Sequence, residues 1–159
     1  MRILLTASLI ILLVSCKTIP QKETISFANN PVIAHRGAWK TNNLPQNSIA
    51  SLKQAITLKC TGSEFDVRMT KDNVLIVTHD ADYNDLVIEE STYAELSKHK
   101  LPNGEILPTL KNFLLAGMQN NTATGLVCEI KPSKIKDRNI IITKEVMKLV
   151  KKLKAEPFI

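Results

Sequence analysis

Seven residues of this chain have the types and the spacing to do chemistry together: His35, Arg36, Glu64, Asp66, His79, Glu129 and Lys131. Each follows or ends a short apolar run. Carboxylates two apart on a strand, as Glu64 and Asp66 are, leave the same face about 7 Å from each other, so both can reach one ion. With Glu129 they form an oxygen-only donor set, which suits a hard divalent cation, Mg²⁺ or Ca²⁺, rather than zinc. Imidazole is the side chain suited to proton transfer at neutral pH, so of His35 and His79 one can take a proton while the other gives one, the pairing that cleavage of a phosphodiester needs. Arg36 and Lys131 offer fixed positive charge to phosphate oxygens, Arg through its planar fork and Lys as a point charge.

Taken singly, each of these residues has a bland explanation. An E-x-D pair occurs on solvated strands, a lone His caps helices, and Arg and Lys make surface salt bridges. Asp80 has three open readings: it orients His79, contacts a polyol, or caps the following loop. His99 lies in a polar stretch and is given no role.

What sets the seven apart is where the chain places them. Residues 31–34 read as a buried strand, and 47–60 as a helix with Ile49, Ala50, Leu52, Ala55, Ile56 and Leu58 inward. Residues 62–67 and 74–77 read as a second and a third strand, with a turn at Lys71-Asp72-Asn73 between them. The first and third are apolar on both faces, as a buried parallel sheet requires. Leu86-Val87-Ile88 suggests a small strand, Thr92 with Glu95 a capping box for a helix reaching about His99, and Asn103-Gly104 a turn. Pro108-Thr109-Leu110 opens a helix that buries Leu110, Phe113, Leu114 and Met118, and 125–128 is a fourth strand. A last helix over 137–155 turns Ile141, Ile142, Val146, Leu149, Val150 and Leu153 inward. Strands alternating with helices predict a parallel α/β sheet, and in a (β/α) barrel the strand ends converge on one mouth.

The composition is that of an ordinary globular chain: 159 residues, 44% hydrophobic and 23% charged. The net charge of +6 comes with only 4% aromatic residues, too few for base-stacking platforms, so nucleic acid is not an expected partner. The late lysines suit a solvated helix face. No glycine-rich phosphate loop occurs, and nucleotide cofactors are not indicated. Cys60 and Cys128 are expected to stay unpaired as small hydrophobes.

Met1-Arg2 and the apolar stretch after it read as a signal peptide over residues 1–15, too short to span a bilayer well. Leu13-Val14-Ser15-Cys16 resembles the bacterial lipobox, which implies cleavage before Cys16 and its lipidation. Residues 16–30 then form the lipidated cysteine and a polar tether, and the domain begins near Pro31. This places the protein in the bacterial cell envelope, anchored to a membrane by lipid. Lys17 after the cysteine favours the outer membrane.

Ala34-His35-Arg36-Gly37, Pro45-Gln46-Asn47-Ser48, Gly62-Ser63-Glu64-Phe65-Asp66-Val67, Thr70-Lys71-Asp72, Thr78-His79-Asp80 and Glu129-Ile130-Lys131 together resemble the glycerophosphodiester phosphodiesterase family. The resemblance implies a TIM-barrel hydrolase that splits glycerophosphodiesters into glycerol 3-phosphate and an alcohol. It also implies His35 and His79 as the acid/base pair, Glu64, Asp66 and Glu129 as ligands of the divalent cation, and Arg36 and Lys131 at the phosphate. Two departures stand out: Gln46 replaces the usual Glu, and residues 31–159 hold only about the first four βα units, where a whole barrel takes about 250 residues. A half-barrel exposes edges and an apolar inner face, which pairing into a homo-oligomer would cover. Two alternatives to the enzyme remain open: a non-catalytic envelope lipoprotein that keeps a phosphate- or metal-binding mouth, and a related barrel phosphodiesterase acting on another phospholipid head group. The lipobox is tested directly by Cys16→Ser, which is expected to abolish incorporation of labelled fatty acid and move the chain to the soluble fraction. Labelling that survives the substitution would contradict the reading.

Overall fold

The computed structural model describes residues 25–159. The signal peptide, Cys16 and the tether as far as residue 24 lie outside the described residues. The elements run β1 (Ile33–Ala34), α1 (Ile49–Thr57), β2 (Gly62–Met69), β3 (Leu75–Val77), β4 (Asp82–Tyr83), β5 (Leu86–Val87), α2 (Tyr93–Leu96), α3 (Leu110–Met118), β6 (Gly125–Ile130) and α4 (Arg138–Leu153). Among the described residues no helix is long and apolar enough to cross a membrane.

The main sheet is organised around β2, which pairs with all three other strands. Its sequence alternates: Phe65, Val67 and Met69 point to one face and Glu64, Asp66 and Arg68 to the other. β6 lies parallel along one edge, in register from Gly62↔Gly125 to Val67↔Ile130. The opposite edge is divided between two strands: β1 runs parallel beside Gly62 and Ser63, and β3 antiparallel beside Val67 to Met69. The small hairpin β4–β5 stands apart.

Helices cover the apolar face. Leu52 of α1, Phe113 and Leu114 of α3, and Ile142, Val146 and Val150 of α4 pack with Phe65, Val67 and Leu126 in one core. The first three helices start where the sequence caps them: the Ser51 N–H donates to Ser48 Oγ at the start of α1, and the Asn112 N–H to Thr109 Oγ1 at the start of α3. The capping box of Thr92 and Glu95 starts α2 as expected. The opposite face of the sheet carries Ile33 and Val127 at its base, flanking Gly62, with Glu64, Asp66 and Glu129 further along.

The architecture is α/β with helices on one face of a sheet of three parallel strands, but the all-parallel expectation fails at β3. Residues 70–74 are all that separates β2 from β3, and a parallel return needs a crossover of about a dozen residues or more. The short link, with Asn73 at φ 61°, can only make a hairpin. Burial of β1 on both faces also fails. Ile33 is 53% exposed, because the face it shares with Val127 carries no helix. In α4 the inward residues are spaced by four, and Ile141, one position off that row, is 49% exposed. The expected helix over 47–60 is shorter at both ends, leaving Leu58 exposed, and α2 stops at Leu96 rather than near His99. Ile88 turns into a 3₁₀ segment instead of extending β5.

The domain also begins earlier than Pro31. Ser26 and Ala28 donate their N–H groups to the Thr122 and Ala123 carbonyls, and Ile25 packs against the core. Apolar Ile25 and Phe27, two apart, give this stretch a strand-like alternation that the polar residues around it conceal. The two cysteines among the described residues are free, with Cys60 buried and Cys128 partly so.

Phe65 and Phe113 meet with ring centroids 4.8 Å apart, both fully packed. Phe113→Ala is expected to lower the unfolding free energy by about 3–5 kcal/mol in urea titrations, whereas Ile141→Ala changes it by no more than about 0.5 kcal/mol. Equal effects would mean that α4 and α3 pack differently from this structure.

Candidate active site

The division of one β2 edge between β1 and β3 builds the site. β1 ends at Ala34, opposite Ser63, and β3 ends at Val77, opposite Val67. The Thr78 N–H then donates to the Asp66 carbonyl at 3.0 Å. The chain therefore delivers His35 and His79 from opposite directions to the same short stretch, Glu64 to Asp66. On the other edge Glu129 is in register with Asp66, and the Lys131 N–H donates to the Val67 carbonyl at 3.0 Å. All four strand ends singled out from the sequence meet here, the third by way of a hairpin rather than a parallel strand.

Glu64, Asp66 and Glu129 each offer an oxygen within 4.8 Å of the others. Glu64 Oε2 accepts the Arg36 backbone N–H at 2.8 Å, and His35 Nε2 lies 3.9 Å from the same oxygen. Asp66 has no exposed side-chain surface. Its Oδ2 accepts from Asn47 Nδ2 at 2.8 Å with Arg36 Nε 3.6 Å away, and Lys131 Nζ stands 3.4 Å from Oδ1. Lys131 Nζ also donates to Glu129 Oε1 at 2.8 Å, and that bond holds its ammonium above the usual lysine range. Glu64 Oε1 and Asp66 Oδ1 are buried without a hydrogen bond. Orphaned carboxylate oxygens are costly, and two of them aimed into one acidic cluster fit a divalent cation.

Arg36 adopts a left-handed backbone at φ 58°, followed by Gly37 at φ 80°. A Cβ on Gly37 would lie 2.4 Å from Ser51 Oγ, so the turn passes against α1 only as glycine. The turn throws the Arg36 side chain back toward Asp66, and its Nη1 donates to Gln46 Oε1 at 2.7 Å. His79 Nδ1 lies 2.8 Å from Asp80 Oδ1. A carboxylate only accepts, so Nδ1 carries the proton and Nε2 is left for chemistry. Of the three readings of Asp80, this contact agrees with the one in which it orients His79. His99, with Nδ1 at 2.6 Å from Asn84 Nδ2, belongs to the loop away from these residues.

Three polar residues shape the site without having been singled out for a role in the sequence. Asn47 grips Asp66 through both its amide atoms. Arg68, on the charged face of β2, donates from Nε to the His79 carbonyl at 2.8 Å and so fixes the backbone that carries the imidazole. Glu105 reaches the first turn of α1, accepting the Ile49 and Ala50 N–H groups at 2.9 and 3.1 Å. That helix end is therefore filled by a carboxylate of the chain itself. Only Asn47 left a trace in the sequence, as part of Pro45-Gln46-Asn47-Ser48.

Burial raises the Glu64 carboxyl above its ordinary value, the Arg36 N–H opposes this, and the Asp66 charge adds to the rise. A carboxylate raised in the folded state costs stability when ionised; the cost is absent below its unfolded value and grows as pH rises through the folded one. In EDTA, Glu64→Gln is therefore expected to raise Tm at about pH 8, and the gain should shrink as pH falls and vanish by about pH 4. A Tm difference independent of pH would contradict the burial argument.

The sequence model of the glycerophosphoryl diester phosphodiesterase family matches residues 35–156, a span that holds all of the residues just described. The crystal structure of a glycerophosphodiester phosphodiesterase from Parabacteroides distasonis is 42% identical with a TM-score of 0.75, over 82% of this chain and 54% of that one. A phosphodiesterase from Oleispira antarctica, solved in complex with the product sn-glycerol-3-phosphate, is 25% identical with a TM-score of 0.66, over 76% of this chain and 51% of that one. Glycerophosphodiester phosphodiesterase 1 of Mus musculus is 29% identical over 137 residues, 74% of this chain and 41% of that protein. The chain spans about half the length of these solved relatives and less of the curated one. Its sheet and helices follow a TIM-barrel wall over that part, and the chain belongs to the glycerophosphoryl diester phosphodiesterase family.

Proposed function

We propose that this chain hydrolyses glycerophosphodiesters to glycerol 3-phosphate and an alcohol at the mouth formed by His35, Glu64, Asp66, His79 and Glu129. The observation that carries the reading is the convergence of three carboxylates within 4.8 Å at the stretch of β2 where both histidines arrive. The three carboxylates outnumber their paired cations, Arg36 and Lys131, by one charge. A divalent cation reverses that sign and makes the mouth attractive to a phosphodiester monoanion. Oxygen-only donors favour Mg²⁺ or Ca²⁺.

Glu64, Asp66 and Glu129 would hold the cation, which when bound polarises the phosphoryl group. The rest is done by the chain. The Arg36 guanidinium and the Lys131 ammonium contact phosphate oxygens. His79, its Nδ1 proton held by Asp80, presents Nε2 to a proton in transit. His35, its side chain 68% exposed, is free to reach the other transferring oxygen. One imidazole takes the proton of the attacking water, and the other supplies a proton to the departing alkoxide. The lipobox at Cys16 supports an envelope location with the domain tethered to a membrane by lipid.

Release of glycerol 3-phosphate from glycerophosphocholine tests the reading. Turnover is expected with Mg²⁺ or Ca²⁺ and lost in EDTA, and His79→Ala or His35→Ala should lower kcat by about 10²–10⁴-fold. A folded chain that binds the cation without turnover would sink the proposal and leave a binding module, and turnover unaffected by EDTA would contradict the metal role.

A further inference from the structure

Asp66 stands at ion-pair distance from two cations, with Arg36 Nε 3.6 Å from Oδ2 and Lys131 Nζ 3.4 Å from Oδ1, but neither makes a hydrogen bond that fixes its plane. Asn47 does. The amide is buried, at 4% exposure, and holds Asp66 at two points: Nδ2 donates to Oδ2 at 2.8 Å, and Oδ1 accepts the Asp66 backbone N–H at 3.2 Å. Two bonds from one planar amide to the backbone and the carboxylate of one residue fix the carboxylate plane. Oδ2 is thereby occupied, while Oδ1 stays buried without a hydrogen bond. The geometry of Asn47 is itself built in. Its backbone is left-handed at φ 56°, its N–H donates to the Arg36 carbonyl at 3.0 Å, and the next residue, Ser48, caps α1. The residue type also matters. An amide holds Oδ2 without adding positive charge, whereas a lysine or arginine there would hold it and repel a cation.

We propose that Asn47 is a positioning residue for cation binding: it withholds Oδ2 of Asp66 and leaves Oδ1 turned toward the ion. The inference rests on Glu64, Asp66 and Glu129 being the cation site. Loss of a partner that orients a metal ligand typically weakens metal binding about 10–100-fold.

The test uses calorimetric titration of Ca²⁺ and of Mg²⁺ into the full chain. Asn47→Gly keeps the left-handed backbone and removes only the amide. It is expected to weaken cation binding about 10–100-fold relative to the unsubstituted chain. Ser48→Ala, one residue on, removes the cap of α1; it should lower Tm in EDTA and leave cation affinity within about twofold, which a merely structural role for Asn47 would also predict for Asn47→Gly. A second measurement needs no variant. In ¹⁵N spectra of the unsubstituted chain, the Asn47 side-chain amide protons should exchange slowly with solvent without metal and shift on Ca²⁺ addition. Unchanged affinity in Asn47→Gly, or rapid exchange of that amide, overturns the inference alone. Failure of the unsubstituted chain to bind either cation overturns the cation reading and this inference with it.

Discussion

Asp66 is a carboxylate with no exposed side-chain surface in the middle of the strand that every other strand of the main sheet pairs with. Taking such a charge out of water costs several kcal/mol unless its surroundings compensate. The compensation comes from three separate segments: Asn47 ahead of α1, Arg36 after β1 and Lys131 after β6. Each must be in place for β2 to be tolerable, so the site and the sheet form together. The same alternation that sends Phe65 and Val67 into the core sends Glu64 and Asp66 to the mouth. Arg36 keeps a left-handed backbone, a conformation that costs about 1–3 kcal/mol in a residue with a Cβ and persists only where its surroundings enforce it.

Burial governs the other face of the sheet, and the acidic cluster adds to it there. Cys128, in register with Phe65, has its thiol pushed up to about 12, first by burial and then by Glu64 and Asp66. At that value it holds no thiolate at neutral pH and is chemically inert. A thiol held protonated in this way behaves as a small hydrophobe, although it stands one residue from Glu129.

Much of this was legible in the sequence, for reasons that can be named. Strand-end placement reports shared location, and the structure does bring His35, Arg36, Glu64, Asp66, His79, Glu129 and Lys131 to one stretch of β2. The two-residue spacing of Glu64 and Asp66 on β2 and the capping box of Thr92 with Glu95 are equally plain. The direction of β3 was misread because an apolar run on both faces suits a hairpin as well as a parallel strand. The length of the link before it carried the answer. Asn47, Arg68 and Glu105 act by reaching across the fold, and no periodicity marks a residue whose partner is far away in sequence. The inward face of α4 shows the finer limit: a stripe of isoleucines offers two adjacent rows, and packing into the shared core selects Ile142 over Ile141.

The long reach of Glu105 bears on the order in which the molecule is assembled. Its carboxylate closes the first turn of α1 from 56 positions further along the chain. During synthesis α1 emerges with the Ile49 and Ala50 N–H groups open to water, and they stay open until the chain as far as Glu105 has been made. Ser48 alone must hold the helix start over that interval. The loop that carries Glu105, between α2 and α3, is therefore a clasp that arrives after the helix it closes, and it completes the start of α1 next to Asn47 without contributing a residue to the chemistry.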